Sequence, residues 1–187
     1  MKTTTIAALL GLAGLLAVKP ALAGDDDHGN RGGLCRDVSG KGTWTLIPAP
    51  NDPLGRVLGP TTGSLKSAVS AYLTAFTPLP SGAFSTKSVE VWAVDHDDES
   101  DGKSKRGATQ DLLIFNGSAT FTPIANQPIG TVQDALTLTA IGGTGDYAGA
   151  TGTIQVTGIG YNVFGPNAAT GNTFFKITYR GRICKAR

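Results

Sequence analysis

Histidine, cysteine and methionine are scarce in this 187-residue chain, and the shortages remove whole classes of chemistry. The two histidines are His28, in a glycine-rich leader, and His96, in an acidic stretch. With so few, a Ser-His-Asp triad or a histidine-rich zinc site has no ligands to draw on. The two cysteines, Cys35 and Cys184, show no Cys-x-x-Cys spacing, which argues against a redox pair or a metal site. There is no Gly-x-Ser-x-Gly elbow. Gly102-Lys103-Ser104 lacks the earlier glycine of a phosphate loop, because Asp97 occupies that place. No amphipathic helix of ordinary length is visible, and no fixed-period repeat.

Charge of one sign is also missing. Met1–Thr5 with its single lysine, the apolar stretch Ile6–Val18 and the small-x-small site Ala21-Leu22-Ala23 read as a secretory signal peptide over 1–23. The apolar stretch falls short of the ~20 residues that span a bilayer. Removing Lys2 and Lys19 with it leaves the basic residues equal in number to the 14 acidic ones. A nucleic-acid binder carries a basic excess gathered on one face, so no nucleic-acid partner is expected. Lys176, Arg180 and Arg182 alternate along a strand and read as a solvated face. The mature chain is expected to be secreted or periplasmic, without a membrane span. Residues 24–33 form a polar leader with nothing to bury, and 34–187 are one domain. In an exported protein the two cysteines are expected to pair. A loop of about 150 residues would then be closed, worth up to roughly 5 kcal/mol in the chain-entropy account.

What is abundant is glycine, threonine and valine, a composition of strands and turns. Gly40–Ile47 alternates Trp44 and Leu46 with Thr43 and Thr45, as a half-buried strand does. Proline and glycine break up Pro48–Pro60, which reads as loop. Ser64–Phe76 has some helical character, but its alternation favours a strand. Lys87–Asp95 sets Val89, Val91 and Ala93 opposite Glu90, Trp92 and Val94. Ala108–Phe121 is a long strand in which Asn116-Gly117 marks a bulge or bend. Three further strands, beginning near Asp134, Thr151 and Gly171, complete a series of seven or eight. Antiparallel strands in that number form a barrel or sandwich. Glycines inside strands, such as Gly158 and Gly160, favour the strongly bent strands of a closed barrel.

The run Gly143-Thr144-Gly145-Asp146-Tyr147-Ala148 matches the G-x-G-x-x-A dinucleotide fingerprint. That fingerprint works where a helix opens on its last residues, and here a β-branched strand follows. The glycines instead serve a hairpin connection. Gly142, Gly143 and Gly145 allow positive φ, Gly149 and Gly152 allow close approach of the returning strand, and Tyr147 plugs one end of the core. The stretch Ala140–Ile154, "AIGGTGDYAGATGTI", resembles the glycine-rich segment shared by dirigent proteins and allene oxide cyclases. The resemblance implies an eight-stranded antiparallel barrel and a homo-oligomer. A disulfide between the N-terminal region and the last strand, as in dirigent proteins, would be reproduced by Cys35 and Cys184. It assigns no catalytic residue.

Two further sites are weighed. Asp97, Glu99 and Asp101 before Gly102 imitate the first half of a calcium loop, but Ala108 stands where a bidentate glutamate belongs. A solvated hairpin tip is the better reading. Asn116-Gly117-Ser118 is a glycosylation sequon, relevant in a eukaryotic host. Within the strands, Glu90, Asp111 and Tyr179, then Tyr72 and Tyr161, could serve as acid, base or hydrogen-bond donor in a barrel cavity. An outward, solvated position is expected for each carboxylate. Tyr179 shares a face with Phe175, Ile177 and Ile183 and is expected to face the core. The expectation is an exported, all-β protein with a single antiparallel closed β-barrel of about eight strands. It would bind or steer a small hydrophobic molecule without a cofactor. A cofactor-independent cyclase or isomerase is one alternative, and a structural or interaction protein with a filled barrel is the other.

Overall fold

The computed structural model describes residues 35–49, 52–95, 110–164 and 172–186. The segments read as signal peptide and leader, and the acidic Asp97–Asp101 stretch, lie outside them. Eight antiparallel strands follow in chain order: β1 (Cys35–Ala49), β2 (Asp52–Gly63), β3 (Ser67–Pro78), β4 (Phe84–Val94), β5 (Asp111–Pro123), β6 (Val132–Gly143), β7 (Thr151–Tyr161) and β8 (Phe174–Cys184). Each pairs with the next and β8 returns to β1, so the sheet closes into a barrel without edges. Cys35 and Cys184 face each other in that closing register and form a disulfide. Among the described residues no helix is long and apolar enough to cross a membrane.

Alternation decides what fills the barrel. On β4 the buried positions are Thr86, Ser88, Glu90, Trp92 and Val94, and on β6 they are Val132, Asp134, Leu136, Leu138 and Ala140. Trp92 stands at the centre of the core, edge-on to Trp44, Phe115 and Tyr179 with centroids 6.1, 5.4 and 5.4 Å away. Beyond it, towards the disulfide, Leu65, Leu113, Leu138, Ile154 and Ile183 are fully buried. Large apolar side chains stabilise by roughly 1.5–3 kcal/mol each when withdrawn from water, so this half of the barrel is a solid core. Tyr147 closes its end, buried under Arg36 and Lys185, with its hydroxyl bonded to the Arg36 guanidinium.

Three local expectations are corrected. Pro48–Pro60 is largely strand: β2 pairs with both neighbours from Arg56 onward, and Pro60 still faces Ala68. The breakers are accommodated because Gly55 takes φ +73° at the irregular start of the β1–β2 pairing. Pairing runs unbroken through Asn116 and Gly117, and the β5–β6 register shifts instead between Ile114 and Phe115. In the hairpin after β6, Gly142, Gly145, Gly149 and Gly152 have positive φ, but Gly143 does not. Gly143 is needed for space, because a Cβ there would lie 2.1 Å from the Leu112 carbonyl oxygen. The ambiguous Ser64–Phe76 segment resolves as a turn leading into β3.

Candidate functional site

The half of the barrel away from the disulfide is not solid. Phe84, Phe121 and Phe164 cluster there, with Phe84 stacked on Phe121 at 4.8 Å. Together with Leu46, Leu73 and Phe76 they line an apolar cavity of about 420 Å³. Leu73, Thr86 and Phe121 also line a second, inner chamber of about 30 Å³, whose remaining walls include Trp44, Ser88, Glu90, Asp134 and Phe175. The inner space suits one water or one hydroxyl group. An apolar vestibule and a small chamber with a polar floor thus share three walls.

Two carboxyl groups make that floor, and the chain places both by strand phase. Glu90 follows Ser88 and precedes Trp92 on the inward face of β4. The Ser88 hydroxyl donates to Glu90 Oε1 at 3.2 Å, and Trp92 Nε1–H donates to Oε2 at 3.1 Å. Burial pushes the Glu90 carboxyl up to about 7, against the opposing pull of these two donors. Asp134, on β6, is raised to about 7 by burial first and by the Glu90 charge second. Among the described residues neither its Oδ1 nor Trp44 Nε1 has a hydrogen-bond partner. Buried polar atoms are nearly always paired, and the two residues that carry these orphans both line the inner chamber.

Donors hold the Glu90 anion, and that anion favours the proton on Asp134. Both carboxyls are raised to about 7, and both residues line the chamber. Space for Glu90 comes from Gly117 on the next strand. A Cβ there would meet Ser88 Oγ at 2.1 Å and Glu90 Oε1 at 3.3 Å. Gly117→Ala is therefore expected to displace the Ser88–Glu90 bond and destabilise the fold by about 1–3 kcal/mol. Urea unfolding measures the loss; an unchanged midpoint would mean the chamber can widen freely.

The candidates read from sequence separate clearly. Glu90 is at the site, and its expected outward position is wrong: it is 2% exposed. Asp111 is outside the barrel core, where its Oδ2 accepts the Asp146 N–H at 2.7 Å and tethers the turn after β6. Tyr179 faces the core as expected, but its hydroxyl accepts from Leu65 N–H at 2.9 Å and donates to the Thr62 carbonyl at 3.0 Å. That phenol pins the closed end, away from the chamber. Tyr72 lies on the surface under Arg56, and Tyr161 stacks on Phe174. Asp134 and Trp44 are residues of the candidate site that sequence reasoning missed. The signal was there, since Asp134 is in phase with Leu136, Leu138 and Ala140 on β6. Comparisons with protein-family models, with curated proteins and with solved structures found no match.

Proposed function

We propose that this chain is an exported barrel of the dirigent and allene oxide cyclase type that binds and steers a small, mainly apolar molecule without a cofactor. The apolar body would occupy the Phe84–Phe121–Phe164 vestibule, with one polar group reaching the inner chamber. The observation that carries this reading is that a 420 Å³ apolar cavity shares the walls Leu73, Thr86 and Phe121 with an inner chamber lined by Asp134, whose Oδ1 has no partner among the described residues. A ligand hydroxyl or carbonyl oxygen there would accept the Asp134 proton, which an empty apolar cavity would not require. The disulfide between β1 and β8 suits export to an oxidising compartment. Exposed Leu58 and Tyr72 on the outward side of β2 and β3 suit a homo-oligomer.

The carboxyl pair favours a second reading, a cofactor-independent cyclase or isomerase in which Asp134 protonates an oxygen while Glu90 accepts a proton. One experiment addresses the common premise. Native mass spectrometry of protein from its own host should show a retained small molecule, and the same spectrum reads the subunit number. In parallel, N-phenyl-1-naphthylamine should brighten with the wild type and bind at least ten-fold more weakly to Leu73→Trp, which enlarges a wall shared by vestibule and chamber. A bare mass together with equal dye binding by both proteins would overturn the reading in favour of a structural role.

A further inference from the structure

The outside of the barrel carries a second feature, on the side formed by β6, β7, β8 and β1. Outward positions there are rich in threonine and glutamine, and a trough of about 600 Å³ runs across them. Its floor is the sheet itself at Gly42 and Gly158, which pair on either side of Ile177 in β8, and outward side chains of the flanking positions form its walls. A Cβ on Gly158 would lie 2.4 Å from the Lys176 carbonyl oxygen. Lys41 and Lys176 flank the trough, Thr157 and Thr178 contribute hydroxyls, and Tyr161 lies at one end stacked on Phe174.

Charge on this face is unbalanced. Lys41 faces Thr178 and Lys176 faces Thr43, so the two ammonium groups occupy diagonal positions, with Arg180 following along β8. Alternate residues of a strand are roughly 6.5–7 Å apart, within the ~10 Å screening length at 0.1 M salt. Among the described residues none of these three cations forms an ion pair. Asp37, facing Arg182, is the one carboxylate at an outward position of the four strands. Like charges gathered without counter-charges create a field that a polyanion relieves.

We propose that this face binds an acidic polysaccharide, a polyuronate chain lying across β8 with its carboxylates on Lys41, Lys176 and Arg180. Hydroxyl and amide groups in the trough match a polyol, and the Tyr161–Phe174 pair offers a flat apolar surface to the C–H face of a sugar ring. A nucleic acid is the competing polyanion, and the Tyr161–Phe174 surface and the trough's hydroxyls favour the sugar polymer. The proposal stands apart from the interior site, since the trough opens on the opposite side of the sheet.

Affinity electrophoresis through gels containing polygalacturonate tests it. Retention should be strong for the wild type and at least ten-fold weaker on the fully methyl-esterified polymer. The double variant Lys41→Gln/Lys176→Gln should also lose at least ten-fold, and Tyr161→Ala about five-fold, while Lys87→Gln, across the barrel, changes nothing. All these positions are outward, and circular dichroism checks that each variant folds. Absence of retention overturns the proposal. So does equal retention by oligo(dT) with no effect of Tyr161→Ala, which would make the face a plain ion exchanger.

Discussion

Between pH 4 and pH 8 the folded state is expected to lose several kcal/mol of stability, the reverse of ordinary acid denaturation. Glu90 and Asp134 move from 4.5 and 3.8 to about 7 on folding, each chiefly because burial penalises the charged form. A carboxyl raised in the folded state binds its proton more tightly there than in the unfolded chain. Stability is therefore highest where both states are protonated, below about pH 4, and falls as pH climbs through the window up to about 7. One pH unit corresponds to ~1.4 kcal/mol per group, which puts the loss on the order of 3 kcal/mol for Glu90 and on the order of 4 kcal/mol for Asp134. Urea unfolding at a series of pH values measures it. Glu90→Gln should flatten much of the slope, since a glutamine can accept from Trp92 and donate to Ser88, and its neutrality also relieves Asp134. The variant should be more stable than wild type at pH 8. A flat wild-type profile would mean that solvent reaches the chamber freely.

Breaking the disulfide should have a comparable effect at every pH. Cys35→Ser/Cys184→Ser frees a loop spanning 149 residues of sequence, and removing a native disulfide costs about 2–5 kcal/mol. For a domain of this size each kcal/mol lowers the midpoint by roughly 2–4 °C, so a fall on the order of 10 °C is expected in thermal unfolding. The same variant should lose hydrogen-exchange protection first along the β1–β8 seam, while β4 and β5 keep theirs. A midpoint unchanged within about 2 °C would show that strand register alone holds the barrel shut.

The fold was legible because its information is periodic. Alternation of Trp44 and Leu46 with threonines, or of Phe175, Ile177 and Tyr179 with polar neighbours, states which side of a strand faces inward. Seven such segments without an amphipathic helix leave few architectures. β2 was hidden because Pro53, Gly55, Gly59 and Pro60 are local breakers, and what overrides them is pairing with the flanking strands β1 and β3, which residue-by-residue propensity does not include. The site was half legible. Glu90 stood out as a carboxylate among β-branched residues, yet its chemical type argued for solvent while its phase with Trp92 argued for the core. Phase won, because Ser88, Trp92 and Gly117 supply donors and room that only the folded sheet brings together. Asp134 was missed for the same reason: a lone aspartate at the start of a strand resembles a turn residue until its neighbours are known.

Because β8 lies beside β1 from Cys35–Cys184 through to Thr45–Phe174, the order of strands around the ring is cyclic. Seven of the eight seams join strands adjacent in sequence and can form as hairpins, while the eighth must wait for the whole meander to curl. The place where the chain begins is then a covalent accident, and the ring has no structural first strand. A circular permutant joining the ends beyond Cys35 and Cys184, and opened at the exposed turn between β3 and β4, would keep all eight seams. It would move the slow closure to the β3–β4 seam, and with it the point at which the vestibule takes shape.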